Sequence, residues 1–456
     1  MLRSLFLALA LATAPSPATA APATKTFFPY PSKVEKLPNG LTVVRVPFAS
    51  PGLVAYYTVV RVGSRNEVEP GHTGFAHFFE HVMFKGTARY PQGKRGSLLS
   101  GWGFADNAFT TDDFTVYHSL GPSSKLKELI EIEADRFQNL SYSKETFQTE
   151  AKAVLGEYHK SAALPELKLE ETLGETAFTA HPYRHTTLGF YDDIKAMPDK
   201  YDYSLQFFKR WYTPNNVTLF IVGDFDDAQI LETVKAQYGN WKGQSDQVAI
   251  PTEPPQKIAK SATIDWPSPT LPRVLLAWHT PAARLDDKNT AIQTVLTDYL
   301  VGTSSPLFKA LVLDKQSTER VYGGFFPHRD PHLFLLQARL RDESKRAEVT
   351  QVLEAAVRAL ASGKVDALRV TTVKSNLRYG LLMGLETPDN VAEQLALFTG
   401  VFGAPNALDL HYQKVAEVQP ADLVAFAKRH LGEAQRLSIA LTPKIQAAAQ
   451  PQPPAK

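Results

Sequence analysis

The residues of this chain best suited to chemistry are His77-Phe78-Phe79-Glu80-His81. On a helix, positions i and i+4 share a face, so both imidazoles can turn toward one ion. Glu80 is adjacent to His81 and one turn from His77, which lets its carboxylate reach a water on that ion. Neutral nitrogen ligands, an open coordination position and a base beside the bound water are the parts that zinc-dependent hydrolysis requires. Phe78, Phe79, Val82 and Phe84 cover the other sides of the segment. They predict a helix over 73–84 rooted in the core, which would hold the ligands on a rigid element. The plainer alternative is a buried helix with two hydrogen-bonded histidines.

A catalytic zinc takes a third protein ligand, usually His, Asp or Glu. Glu150 and Glu157 stand seven residues apart, two turns on one face of a predicted helix over 144–162. Between them, Ala151 to Gly156 is rich in Ala, Val and Leu with a single lysine. Spacing alone does not separate these two from Glu131, Glu133 or Asp135, whose alternation with Leu and Ile at helical spacing over 125–140 reads as a solvated helix face. The single histidines His72, His118, His159 and His181 read as structural or surface residues.

The elements that must position these groups alternate between strand and helix. Val, Thr and Tyr enrichment predicts strands over 41–46 and 53–62, joined at Pro51-Gly52. Further strands are expected over 110–120, 217–222 and 273–278. Gln, Pro, Ser and Lys, punctuated by Pro251, Pro254 and Pro255, mark a linker over 243–261. The halves on either side look like copies. Gln206–Arg210 precedes the strand 217–222 as Ala425–Arg429 precedes a strand over 437–441, an offset of 219 residues. At that offset Phe114–Tyr117 meets Leu333–Leu336, each followed by a long amphipathic helix. His77, Glu80 and His81 then fall on Leu296, Tyr299 and Leu300, so the second copy lacks the ligands. The expectation is an α/β fold of the α+β type: two homologous domains, 29–242 and 262–444, each a mostly antiparallel mixed sheet packed with helices.

The segment Gly74 to Thr87, with HFFEH inside it, resembles the inverted zinc motif of the pitrilysin/insulinase family of metallopeptidases. That resemblance implies that Glu157, 76 residues beyond His81, is the third zinc ligand and that Glu150 is a supporting acid near the catalytic group. Asp106-Asn107-Ala108-Phe109-Thr110 is similar to the family's edge strand, so Asn107 and Ala108 are expected to bind substrate backbone as an added strand. His181-Pro182-Tyr183, Leu188-Gly189 and Tyr212 to Asp224 match the family's first domain as turns and a core strand. The family also implies a clam shell of four such domains around a chamber, built from two chains of this size or from one chain of double length. Its second half carries an Arg and a Tyr seven apart that bind substrate. Here Tyr322 fits the Tyr position, but counting for the Arg gives Val312 or Lys315. This favours a heterodimer with a related zinc-less chain supplying the pair, with a homodimer next.

The remaining composition narrows the function. Net charge is +2, so the charge balance gives no indication of a nucleic-acid partner. There is no cysteine, which removes disulfides, thiolate metal sites and cysteine nucleophiles. Arg3, the apolar run Leu5–Ala12 and Ala18-Thr19-Ala20 read as a Sec-type signal peptide over 1–20, cut before Ala21, and imply a periplasmic protein. A Pro/Ala-rich leader, 21–28, and a tail, 445–456, are expected to be loose. The expected activity is zinc-dependent endopeptidase or oligopeptidase cleavage of peptides or unfolded chains. The alternatives are a non-catalytic or partner-dependent subunit and a processing peptidase for one specific protein.

Overall fold

The computed structural model describes residues 26–444; the expected signal segment, 1–20, and tail, 445–456, lie outside the described residues. The first sheet contains β1 (Lys33–Lys36), β2 (Thr42–Pro47), β3 (Leu53–Val60), β4 (Ala105–Thr110), β5 (Thr115–Pro122) and β6 (Val217–Gly223) in the order β1-β2-β6-β3-β5-β4. The second contains β7 (Lys260–Trp266), β8 (Arg273–Thr280), β9 (Thr318–Phe325), β10 (His332–Leu340) and β11 (Arg436–Pro443) in the order β7-β11-β8-β10-β9. Set β1 aside and the two orders match strand for strand. In each sheet the first and last strands along the chain pair in parallel, β2 with β6 and β7 with β11, and the other pairs are antiparallel. The helix Asn289–Val301 occupies the place that α1 (Phe75–Val82) holds in the first half. Its Leu296 and Leu300, where α1 carries His77 and His81, are buried in apolar core.

The two halves interlock. One face of the first sheet, with Val54, Tyr56, Leu219 and Ile221, packs on helices of its own half. Its other face, with Val46, Tyr57, Phe114 and Phe220, shares a core with the second half, and the helix Pro388–Phe402 packs directly on β3 and β6. In return α5 (Pro165–Ala177) packs on β7 and β11, where Leu169, Ala177 and Phe178 join Ile264, Leu275 and Ile439. Each half therefore covers a sheet face of the other with an equivalent helix. The contact is tight enough that a methyl on Gly400 would lie 2.4 Å from the Phe114 ring.

Several sequence expectations change in detail. The predicted strand over 110–120 is a hairpin: β4 and β5 meet at the pair Thr110–Thr115. The reversal lies at Thr111-Asp112-Asp113, where the Thr111 hydroxyl accepts from the amides of Asp113 and Phe114 and so closes the turn. Glu133 is not on a solvated face. It is 1% exposed, and its carboxylate accepts from Arg95 at 2.7 Å and from Arg136, a pairing that a buried carboxylate requires. The leader is not loose at its end, because the amides of Phe27 and Phe28 both donate to Asp409.

Candidate active site

The helix that carries the motif is built to be held still. Phe75, Phe78, Phe79 and Val82 on α1 are fully buried, each contributing about 1.5–3 kcal/mol of burial. Its first turn starts from Gly74 at φ 89°. A side chain there would meet the Leu188 carbonyl at 2.5 Å, and Gly189 is as close to Gly74 from the other side, so two glycines let the segments touch. The orphan amides of the first turn, Gly74 N and Ala76 N, donate to the buried carboxylate of Glu67 at 2.8 and 2.7 Å. At the other end Tyr117 Oη donates to the Phe79 carbonyl at 3.0 Å. The second element, α4 (Lys144–Ala162), is capped by Ser143, whose hydroxyl accepts from the Thr146 amide. Phe147, Ala151, Val154 and Tyr158 pack into the core, leaving Glu150 and Glu157 toward α1.

The fold brings His77, His81 and Glu157 together, with one ligand atom of each lying within 4.8 Å of the others. Glu157 Oε2 stands 3.6 Å from His77 Nε2 and 3.3 Å from His81 Nε2. Those separations are too long for strong hydrogen bonds. They match the roughly 3.3 Å expected between two ligands that share a tetrahedral ion at about 2.0–2.1 Å. His77 is 7% exposed and makes no hydrogen bond among the described residues; burial, then the neighbouring His81, pushes its pKa down to about 3. A neutral, buried imidazole whose Nε2 faces a carboxylate at this distance has the chemistry of a metal ligand. The donor set, two nitrogens and one oxygen, suits zinc.

Glu80 lies beside this group. Its carboxylate accepts from the Thr110 hydroxyl at 2.8 Å. Burial raises its pKa to about 6, against the lowering effect of the Thr110 hydrogen bond and with a further rise from the charge of Glu157. A carboxylate poised there can take a proton near neutral pH. Glu150 is set behind the ligands: it pairs with Lys85 at 2.6 Å and stands 3.9 Å from His81 Nδ1. It faces His81 from the ring edge opposite Glu157, beyond hydrogen-bond distance, and does not join the three-atom group.

Asn107 is exposed and Ala108 buried on β4, the outermost strand of its sheet, paired only with β5 among the described strands. Tyr322 lies instead on β9, at the edge of the second sheet. The guanidinium of Arg320 sits 4.9 Å from the centre of its ring, so the arginine beside Tyr322 is two residues upstream on the same strand. Lys315 pairs with Glu348. The single histidines are occupied elsewhere: His118 stacks on Tyr57, His72 packs at a tilt against Tyr203, the exposed His159 meets Tyr191 edge to face, and His181 bonds Asp330.

A second group, Asp112, His328 and His332, also brings metal-type donors together. Here His328 Nε2 is only 3.0 Å from Asp112 Oδ2, and its Nδ1 is 2.7 Å from the Phe326 carbonyl. Two acceptors at hydrogen-bond distance describe a doubly protonated imidazole. Burial alone would lower the pKa of His328, but Asp112 outweighs it and raises it. His332, stacked on it at 3.6 Å, is pushed well below its ordinary value by burial and then by His328. This is an ion pair between the halves.

Comparison with known proteins gives a consistent picture. A family model described as "Insulinase (Peptidase family M16)" matches residues 53–189, and one described as "Peptidase M16 inactive domain" matches residues 200–377. The zinc protease PqqE of Helicobacter pylori is 27% identical over 413 residues, covering 89% of this chain and 92% of its own. The crystal structure of a protease from the same organism superposes with a TM-score of 0.84 at 26% identity, covering 91% of this chain and all of that one. The periplasmic protease PqqL of Escherichia coli matches at 18% identity with a TM-score of 0.75, over 91% of this chain and 48% of its own.

Proposed function

The chain belongs to the pitrilysin/insulinase family of peptidases, and we propose that it hydrolyses peptide bonds with a zinc ion held by His77, His81 and Glu157. The observation that carries this reading is the convergence of two imidazole nitrogens and one carboxylate oxygen, at ligand-sharing distances, beside a carboxylate held by Thr110. Zinc bound there supplies Lewis acidity and a nucleophilic water near neutral pH. Glu80 takes the proton of the attacking water and passes it to the leaving amine. Glu150, fixed by Lys85, keeps His81 oriented. The exposed edge of β4 at Asn107 and Ala108 receives the substrate backbone, giving affinity with little sequence selectivity.

The fold of this chain matches about half of a longer chain, the periplasmic protease PqqL of Escherichia coli. This supports a two-chain assembly: this chain with a related zinc-less partner, or two copies of it, enclosing substrate in a chamber. The same relative, named as periplasmic, and the Sec-type segment support a periplasmic location; no helix among the described residues is long and apolar enough to cross a membrane. The test is Glu80→Gln assayed on a peptide library, with and without the product of an adjacent related gene. The variant should keep zinc and lose about 10²–10⁴-fold in kcat. Wild-type turnover by the variant would remove Glu80 from the mechanism. Zinc without turnover in the native chain, even with its partner, would make this a scaffold subunit.

A further inference from the structure

Along β4, Asp106, Ala108 and Thr110 share one face of the sheet and Asn107 and Phe109 the other. The first set faces the helices of its own half: Ala108 packs in their core, and each polar member is tethered. Asp106 accepts from Arg95 at 2.5 Å, and Arg95 is locked in turn on the buried Glu133 of α3 (Leu126–Asn139). Thr110, the last residue of the strand, donates its hydroxyl to Glu80 Oε2 at 2.8 Å. The outermost strand of the sheet is thus joined by its final side chain to the carboxylate proposed as the base.

We infer that Thr110 is a positioning residue for Glu80, through which the strand that receives substrate also sets the orientation of the base; the inference rests on the assignment of Glu80 above. A carboxylate on a flexible glutamate stem has several rotamers, and a charge-assisted hydrogen bond from a residue fixed in a sheet selects one. The same strand cannot shift at its end without moving the base. Valine keeps the shape of threonine but cannot donate, and serine restores the donor.

The experiment measures kcat, KM and zinc content of Thr110→Val and Thr110→Ser, and repeats the valine change in a Glu80→Asp background, chosen because a stem one methylene shorter draws the carboxylate away from residue 110. Thr110→Val should lower kcat by about 10- to 100-fold, the worth of one hydrogen bond to a charged group. KM should stay within about twofold, since one positioning contact acts on the chemical step, and zinc content should be unchanged. Thr110→Ser should recover most of the rate, and the valine change should cost nothing further beside Glu80→Asp. A Thr110→Val enzyme with wild-type kcat, a serine variant as impaired as the valine one, or an equal loss in the Glu80→Asp background would overturn the inference. If Glu80→Gln is inactive while Thr110→Val is normal, the tether alone has failed. If Glu80→Gln retains the wild-type rate, the base assignment has failed and the tether with it.

Discussion

At the scale of single residues, His77, His81 and Glu157 have unequal standing. His77 is buried and unpartnered, whereas His81 and Glu157 are partly open to solvent. His77→Ala should abolish zinc binding, and Glu157→Gln should weaken it by at least tenfold; metal analysis after dialysis reads both. Glu80 must be ionised to act. Its folded value of about 6 therefore predicts that kcat/KM falls as pH drops through about 6, or lower once a bound dication favours the carboxylate. A pH–rate profile with no acidic limb would contradict that. The histidine pair was legible in the sequence because a helix makes i and i+4 neighbours. The third ligand was not legible from spacing, since Glu131, Glu133 and Asp135 qualified equally, and only a resemblance chose Glu157. Glu133 shows why: Arg95, distant in the sequence but adjacent in the fold, joins Arg136 one turn along the same helix and turns an apparent surface charge into a buried one.

At the scale of elements, the junction between the halves is polar where it meets the β4–β5 turn. Arg65 bonds Asp330 at 2.6 Å, Tyr183 donates to Asp113 at 2.7 Å, and the Arg329 amide donates to the same carboxylate at 2.9 Å. His328 and Asp112 form the titrating pair. The folded state raises His328 above its ordinary 6.5, so its contribution is complete below that pH and is lost as pH rises through the raised value. Asp112 is held below its ordinary 3.8: burial opposes this, but the hydrogen bond from His328 and its charge outweigh it. Its contribution is present above 3.8 and lost only as pH falls through the depressed value. His332, kept neutral, acts oppositely to His328 and costs stability as pH falls below 6.5. His328→Gln should lower unfolding stability by about 1–3 kcal/mol near pH 6 and by less near pH 9, read from urea midpoints at both. An equal loss at both pH values would exclude the charged pair. None of this was legible from sequence, because the partners lie 216 residues apart.

At the scale of the whole molecule, the duplication was legible: the 219-residue offset maps β6 onto β11 and α1 onto the helix Asn289–Val301. What the repeat did not reveal is that the halves exchange helices, since a sequence offset records likeness and not contact. The consequence is that a chain cut at the 243–261 linker leaves Val46, Tyr57, Phe114 and Phe220 without cover. Residues 29–242 expressed alone should aggregate, and co-expression of both pieces should restore a soluble complex by size-exclusion chromatography. A stable, monomeric first half would contradict the interlocked core. Acid sensitivity has a separate source in the second half, where burial pushes His411 down to about 4. A histidine held neutral costs stability as pH falls from 6.5 toward 4, here up to about 3 kcal/mol, and His411→Gln should flatten that slope in denaturant titrations.

The account depends most on where the metal sits. An anomalous difference map from crystals of the native protein, collected at the zinc edge, should show one strong peak, about 2.0–2.2 Å from His77 Nε2, His81 Nε2 and a Glu157 oxygen. A peak at any other position, or none in a preparation that still cleaves peptides, would contradict it.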